Sequence, residues 1–405
     1  MSVLQKAKSF QTFRYLLFFF ALNAGWPSVF SFMGWLPEFH IGYLILATLS
    51  IVYALQYGKK LPIPITTIIV VQIITFVIYS AIFSDSSYIT RCFYLVITYA
   101  LLSIQMGRSK MEFVDTNVFW LTVQAAMGGV GFMLTLAGIL KPISTFVEFD
   151  GHIGTFYGLY TSNALYDGMV RVAGFFDEPG AFAFWGIIAL LFNKVFIDNK
   201  RVEKILIVGL VSTLSMAYFI QLALYTYLFY KNRISKLMVP VASFLILLTV
   251  IASYSPEMNH AIFGRFQVDE TTGRLKGDNR SVNAEFCKDV WLTSPIIGVG
   301  AYNVIGISLA QGTFAGANPY TFLATDGIIG QFVLLLPLFY LFQLGNRNKK
   351  YRYVAYILLV GFLQRPYDPT QLLYPLLILT MGIEGYRETY KYGLIKRSDF
   401  ATMSN

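Results

Sequence analysis

The chain has 405 residues, of which 56% are apolar and only 13% charged, and its mean hydropathy is +0.58. Soluble domains carry about one-quarter charged residues, so this composition excludes an ordinary soluble protein and leaves no room for a soluble domain beside a polytopic membrane bundle. Lys plus Arg exceed Asp plus Glu by 31 to 22, an excess that reads first as membrane topology and calls for no nucleic-acid partner.

Taken in chain order, residues 1–14 place Lys6 and Lys8 before an apolar run. They resemble a signal segment without a small-residue cleavage site, which predicts an uncleaved first span. Apolar runs follow at 14–33, 39–57, 65–84, 87–106, 116–140, 176–197, 203–230, 237–254, 320–343, 351–364 and 370–386. The run at 203–230 would be about 42 Å long as one helix, too long for a single upright span. Lys194, Lys200, Arg201 and Lys204 precede it or open it, and Lys231, Arg233 and Lys236 follow it. The positive-inside rule puts both clusters in the cytoplasm, which requires an even number of crossings. A helical hairpin broken near Ser212–Ser215 satisfies this. The expectation is an all-α polytopic bundle of about twelve spans, a single integral membrane domain over 1–405 with both termini cytoplasmic.

Two connections on the outer side are long, 141–175 and 255–319, which suggests that the work is done at the outer leaflet. Within the second, 282–293 sets Val282, Phe286, Val290 and Trp291 at helical spacing against polar neighbours. This pattern predicts a short amphipathic helix lying at the interface. The outer side is otherwise acidic, so Arg171, Arg265, Arg274, Arg280 and Arg365 stand out on it. Arg91, about one turn into the fourth span, is expected to snorkel to the headgroups. Cys92 and Cys287 are far apart, and His40, His152 and His260 are scattered. Neither a disulfide framework nor a metal centre follows from them, and no cofactor is expected.

Four constellations are able to carry chemistry. Arg171 through Gly180 contains Gly174, Phe176, Asp177, Glu178 and Pro179 where the first long loop meets the sixth span. Pro179 suits the first turn of a helix and Asp177 its cap. Arg171 and Glu178 suggest an anion ligand and a general base. Arg280 leads into Trp291, Pro295, Gly298 and Gly300, where an arginine opening a helix opposes the helix dipole and so favours an anionic partner. The glycines suit tight turns, and a lone Pro-x-x-Gly-x-Gly is weak support for phosphate binding. Asn318-Pro319-Tyr320 precedes Asp326, Gly327 and Gly330; an ionisable group as deep as Asp326 requires a wet cavity or a partner. Arg365 to Pro369 forms a tight loop before the last span, where Arg365 has Asp368 as a local alternative partner.

These pieces in this order resemble the bacterial O-antigen polymerase (Wzy-type) and O-antigen ligase superfamily of integral membrane glycosyltransferases. The resemblance is carried by Arg171, Gly174, Phe176, Glu178, Pro179, Arg280, Trp291, Pro295, Gly298, Gly300, Asn318, Tyr320, Gly327 and Gly330, and it covers roughly 165–345. Ala317 stands where the ligases commonly have a His, and Glu178-Pro179 looks more like the polymerase branch. The resemblance implies an undecaprenyl-diphosphate-linked oligosaccharide donor and acceptor, membrane lipid as surroundings, a chain-length regulator protein as partner, no nucleotide sugar and no metal. It also implies catalysis at the outer face of the bacterial inner membrane. The expected diphosphate ligands are Arg280 and Arg171, with Arg365 and Arg265 second. Glu178 is the first choice for the catalytic carboxylate and Asp326 the second, and Asn318, Tyr320 and Trp291 are expected to contact acceptor or glycan. A ligase is the alternative of like chemistry. A lipid-linked glycan flippase or secondary transporter is the alternative of another class.

Overall fold

The computed structural model describes residues 3–402 except 25–27, 35–38, 107–111, 148–152, 164–169, 232–233, 265–266, 269, 271–272, 274–279, 313–315, 317 and 365–372. The apolar runs condense into α1 (Val3–Ala24), α2 (Val29–Phe32), α3 (Phe39–Tyr57), α4 (Ile63–Phe83), α5 (Ser87–Met106) and α6 (Glu112–Leu136). A small antiparallel sheet follows, β1 (Ser144–Val147), β2 (Ile153–Phe156) and β3 (Thr161–Asn163), in the order β1-β2-β3. Next come α7 (Pro179–Phe192), which widens into a π-helical turn at Asn193–Ile197, α8 (Lys200–Val211), α9 (Met216–Tyr230), α10 (Ile234–Ala252) and α11 (Pro256–Phe263). The chain continues through α12 (Arg280–Thr293), α13 (Ala301–Ala310), α14 (Thr321–Gly345), α15 (Lys349–Gln364) and α16 (Leu373–Thr402).

The protein is mostly helical. Among the described residues five helical segments are long and apolar enough to cross a membrane: α4, α5, α6, α14 and α7 with its π-helical turn. The long run at 203–230 is broken where charge demanded it, with α8 ending at Val211 and α9 starting at Met216. Leu214 takes a left-handed conformation (φ 47°) in the turn, and the hydroxyls of Ser212 and Thr213 donate to the carbonyls of Gly209 and Leu210, which end the helix. The purely α expectation is corrected at 144–163. There, four-residue strands pair Val147 with Ile153 and Phe146 with Gly154, too short for their alternation to stand out against the helical runs.

Two compact units interleave in sequence, Met1–Leu46 with Met111–Ser281 and Ala47–Lys110 with Val282–Asn405. In the first, α7 is buried along its whole length, with α6, α8 and α9 packed around it. Small residues permit the close approach: a side chain at Gly186 would meet Leu210, and one at Gly209 would meet the Ala125 carbonyl. Arg14 and Glu112 form a buried ion pair at 2.5 Å between α1 and α6. In the second unit α14 packs on α4, α13, α15 and α16, and α16 also lies on α5.

Candidate functional site

In the first unit the segment from Arg171 to Glu178 is pinned from several sides before it starts α7. Its backbone runs beside β3, with Thr161 N donating to Gly174 O at 2.7 Å and Ala173 N to Thr161 O at 2.8 Å. Gln124 of α6 accepts from Phe175 N at 3.0 Å, and Val29 N of α2 donates to Phe175 O at 3.0 Å. Gly174 is required here, because its φ is +62° and a Cβ would press on Gln124 Oε1 and the Phe182 ring. Just before β3, burial raises the pKa of Tyr160, whose hydroxyl shares a 2.7 Å hydrogen bond with Thr135 of α6.

Arg171 is buried in this frame. Its Nε donates to Thr213 O at 3.1 Å, in the α8–α9 turn, and Val172 N donates to Ser212 O at 3.2 Å. The turn that charge patterning placed in the sequence therefore holds the guanidinium. Glu178 is the N-cap residue of α7, half-buried and in extended conformation, yet its side chain makes no capping bond. Asp177 Oδ1 instead accepts from Glu178 N at 2.9 Å, and Pro179 occupies the first turn, where no N–H is needed. The segment thus presents a carboxylate and a held guanidinium at the N-terminal end of a buried helix, where the aligned peptide dipoles favour negative charge.

In the second unit the other two motifs are parts of one clamp. Gly327 breaks the helical path of α14 (φ 63°, ψ −170°), which leaves carbonyls before it and N–H groups after it without helical partners. The segment Pro295–Gly300 supplies them: Val299 N donates to Ala324 O and Gly300 N to Thr325 O, both at 2.9 Å. In return Ile328 N donates to Pro295 O at 3.0 Å and Ile329 N to Ile296 O at 3.1 Å. Gly298 has φ +74° and a Cβ there would strike the Thr325 carbonyl; one on Gly327 would strike Ile296. The two glycines of Pro-x-x-Gly-x-Gly make the tight turns their sequence suggested, with φ of 74° and 91°, and those turns hold a helix kink. Asp85, a buried residue singled out by no sequence pattern, adds a tie, accepting from Ser87 N at 2.8 Å and from Tyr302 N of α13 at 3.0 Å.

Asp326, one residue before the kink, is 0% exposed. Arg91 Nη1 donates to its two oxygens at 2.9 and 3.1 Å, Tyr88 Oη donates to Oδ1 at 2.6 Å, and Tyr79 Oη donates to its backbone carbonyl at 2.9 Å. The Arg91 guanidinium also lies over the Tyr88 ring, 4.6 Å from its centroid. The expectation of a snorkelling Arg91 is therefore corrected. The side chain is 7% exposed and serves as the partner that an embedded Asp326 demands.

Of the three expected glycan contacts, two form a pair. Trp291 and Tyr320 are half-buried with ring centroids 6.0 Å apart, and Trp291 Nε1 donates to Pro295 O at 3.1 Å. Asn318 is buried. Its Nδ2 donates to Asn283 O and Gly316 O at 3.3 Å, and its Oδ1 accepts from Tyr320 N at 2.9 Å, so its amide ties the loop together. The amphipathic helix forms as α12, with Phe286, Cys287 and Val290 packed on Val304 and Ala324. Val282 departs from the predicted face, being 48% exposed. Arg280 opens α12, and its side chain, like all of Arg265, Arg274 and Arg365, lies outside the described residues.

Sequence reasoning missed Thr213, Gln124, Tyr88 and Asp85, each of which acts through a partner remote in the chain. Among the described residues no group of three or more His, Cys, Asp or Glu is placed to hold a metal ion. No protein-family model matches the chain, and no curated protein matches it.

Proposed function

We propose that the chain is a membrane-embedded polysaccharide polymerase that joins polyprenyl-diphosphate-linked oligosaccharide units at the outer face of a bacterial inner membrane, with about twelve crossings and both termini cytoplasmic. A hydroxyl of the acceptor unit attacks the anomeric carbon of the donor glycan. The bond from that carbon to the diphosphate oxygen breaks, the lipid diphosphate leaves with the electron pair, and the acceptor proton passes to Glu178. Negative charge grows on phosphate oxygens, where fixed guanidinium groups stabilise it. Arg171 and Arg280 take that role, with Arg365 and Arg265 as second-rank candidates, and Trp291 and Tyr320 offer aromatic faces to sugar. Asp326 is not assigned to catalysis in this reading; it anchors the kink of α14 through Arg91.

The observation that carries the proposal is the position of Glu178: a half-buried carboxylate at the head of α7, in the same pinned segment as the buried Arg171. A general base contributes about 10²- to 10⁴-fold. Purified protein in detergent, given lipid-linked repeat units, is expected to yield longer chains. Glu178→Gln should lower that rate by roughly a hundredfold or more with protein yield unchanged. Transfer to a different acceptor would make the protein a ligase, and movement of lipid-linked glycan across a bilayer without longer chains would make it a flippase.

A further inference from the structure

The β1–β2 hairpin carries apolar side chains on both of its faces. One face is accounted for, since Phe146 and Phe156 are buried in a cluster with Val29 and Phe175, where Phe32 stacks on Phe146 at 5.4 Å. The other carries the pair Thr145 and Thr155 and the directly paired Val147 and Ile153, of which the latter two are 65% and 55% exposed; Ile143, just before β1, is 66% exposed. An antiparallel sheet that turns one face to water places polar side chains there. A bare apolar patch on an edge strand also invites pairing with other chains unless something covers it.

The covering can be read from the chain that leads into the hairpin. Along α6, a helix long and apolar enough to cross a membrane, Phe119, Ala126 and Val130 form one exposed face at spacings of seven and four. The chain leaves α6 at Leu136 and continues at once through exposed Ile139 and Ile143 into β1, with only exposed Lys141 as an intervening charge. A lysine of that kind keeps its ammonium among headgroups while its stem lies against apolar surface. Exposed apolar residues thus recur along the sequence from this helix to the hairpin.

We infer that the exposed face of the β1–β2 hairpin is a lipid-contact surface, seated in the leaflet reached by the C-terminal end of α6. Val147, Ile153 and Ile143 enter the boundary between headgroups and acyl chains, and the hairpin anchors the loop that carries Arg171 and Glu178 at a set depth. The inference rests on α6 crossing the membrane and stands apart from the glycosyltransferase reading. Glu148 and Asp150, next in sequence to the paired residues, make a zwitterionic phosphatidylcholine bilayer the suitable probe surface.

The chain has two cysteines, so Cys92→Ser with Cys287→Ala opens it to single-site labelling. An environment-sensitive fluorophore is placed on Ile153→Cys, on Val147→Cys as the cross-strand check, and on Asp198→Cys as an exposed reference between α7 and α8. Each labelled protein is confirmed monodisperse in phosphatidylcholine nanodiscs. At 153 and 147, nitroxide-bearing lipid is expected to quench several-fold more strongly than aqueous iodide, and at 198 the order should reverse. Iodide quenching at 153 and 147 equal to that at 198 would overturn the inference by showing the face in water. Protection from both quenchers would overturn it in favour of a protein cover, such as a second copy of the chain.

Discussion

Glu178 stands at the N-cap of one apolar helix and Asp326 lies in the second turn of another, and their neighbours give the two carboxylates different work. Asp326 is completely enclosed and its carboxylate is matched by Arg91 and Tyr88, so its charge is compensated inside the protein. Removing one member of such a pair leaves a buried charge alone, at about 3–5 kcal/mol, whereas replacing both by apolar residues is close to neutral. Asp326→Asn and Arg91→Ala should therefore each lower the thermal midpoint in detergent, and the double change Arg91→Met/Asp326→Leu should recover most of the loss. Glu178→Gln should lower that midpoint by less than either single change, because Glu178 is half-buried where Asp326 is fully enclosed. Equal midpoints for Asp326→Asn and the unaltered protein would remove Asp326 from the structural role and return it to contention as the base. The need of Asp326 for a partner was legible from its depth in an apolar run. The identity of that partner was not, because Arg91 lies 235 positions away and nothing local distinguishes it from an arginine reaching for headgroups.

Between elements, the kink in α14 and the Pro295–Gly300 segment solve one another's hydrogen-bonding problem. Peptide groups freed by a break within an apolar bundle must find partners in protein, since lipid offers none. The four backbone bonds to 295–300 meet that need. A residue other than glycine at 298 would sit in the left-handed region at about 1–3 kcal/mol and would also collide with the Thr325 carbonyl. Gly298→Ala is thus expected to destabilise the second unit by at least that amount and to expose α12, read as faster proteolysis near 282–293. Gly306→Ala, where a Cβ meets nothing within 4 Å, is the matched control and should be neutral or slightly stabilising. The spacing of Gly298 and Gly300 was visible in the sequence, and a need for tight turns was a correct deduction from it. That the turns serve a helix kink depends on residues 324–329, which the motif does not contain.

At the scale of the whole molecule, α8 with 12 residues and α9 with 15 measure about 18 and 22 Å, short of a hydrocarbon core of about 30 Å. A pair of short helices that rises and returns keeps Lys200 and Lys231 on one side, just as two complete crossings would. A reporter active only outside the cytoplasm should consequently be active when fused after residue 270 and silent after 233 or 348. Activity after 233 would break the hairpin reading and the twelve-crossing proposal with it. Polymer formation should also persist in EDTA, because the arginines are assigned the charge stabilisation that a metal ion supplies elsewhere. Loss of activity in EDTA that added magnesium restores would require a bridging cation in the mechanism.

Hydropathy and charge are local properties, and what depends on them was settled by sequence alone: the helical class, the limits of α3 and α5, the break between α8 and α9, and Pro179 at the head of α7. Tertiary structure decided which faces meet. Helices such as α4 and α14 are apolar around their circumference, so their sequences contain little to separate a side that touches protein from one exposed on the outside. Arg91 on Asp326, Arg171 on Thr213 and Gly298 against Thr325 all arise from approaches between distant segments. Each is selected by fit and by the need to pair buried polar groups, two conditions that exist only once the chain has packed.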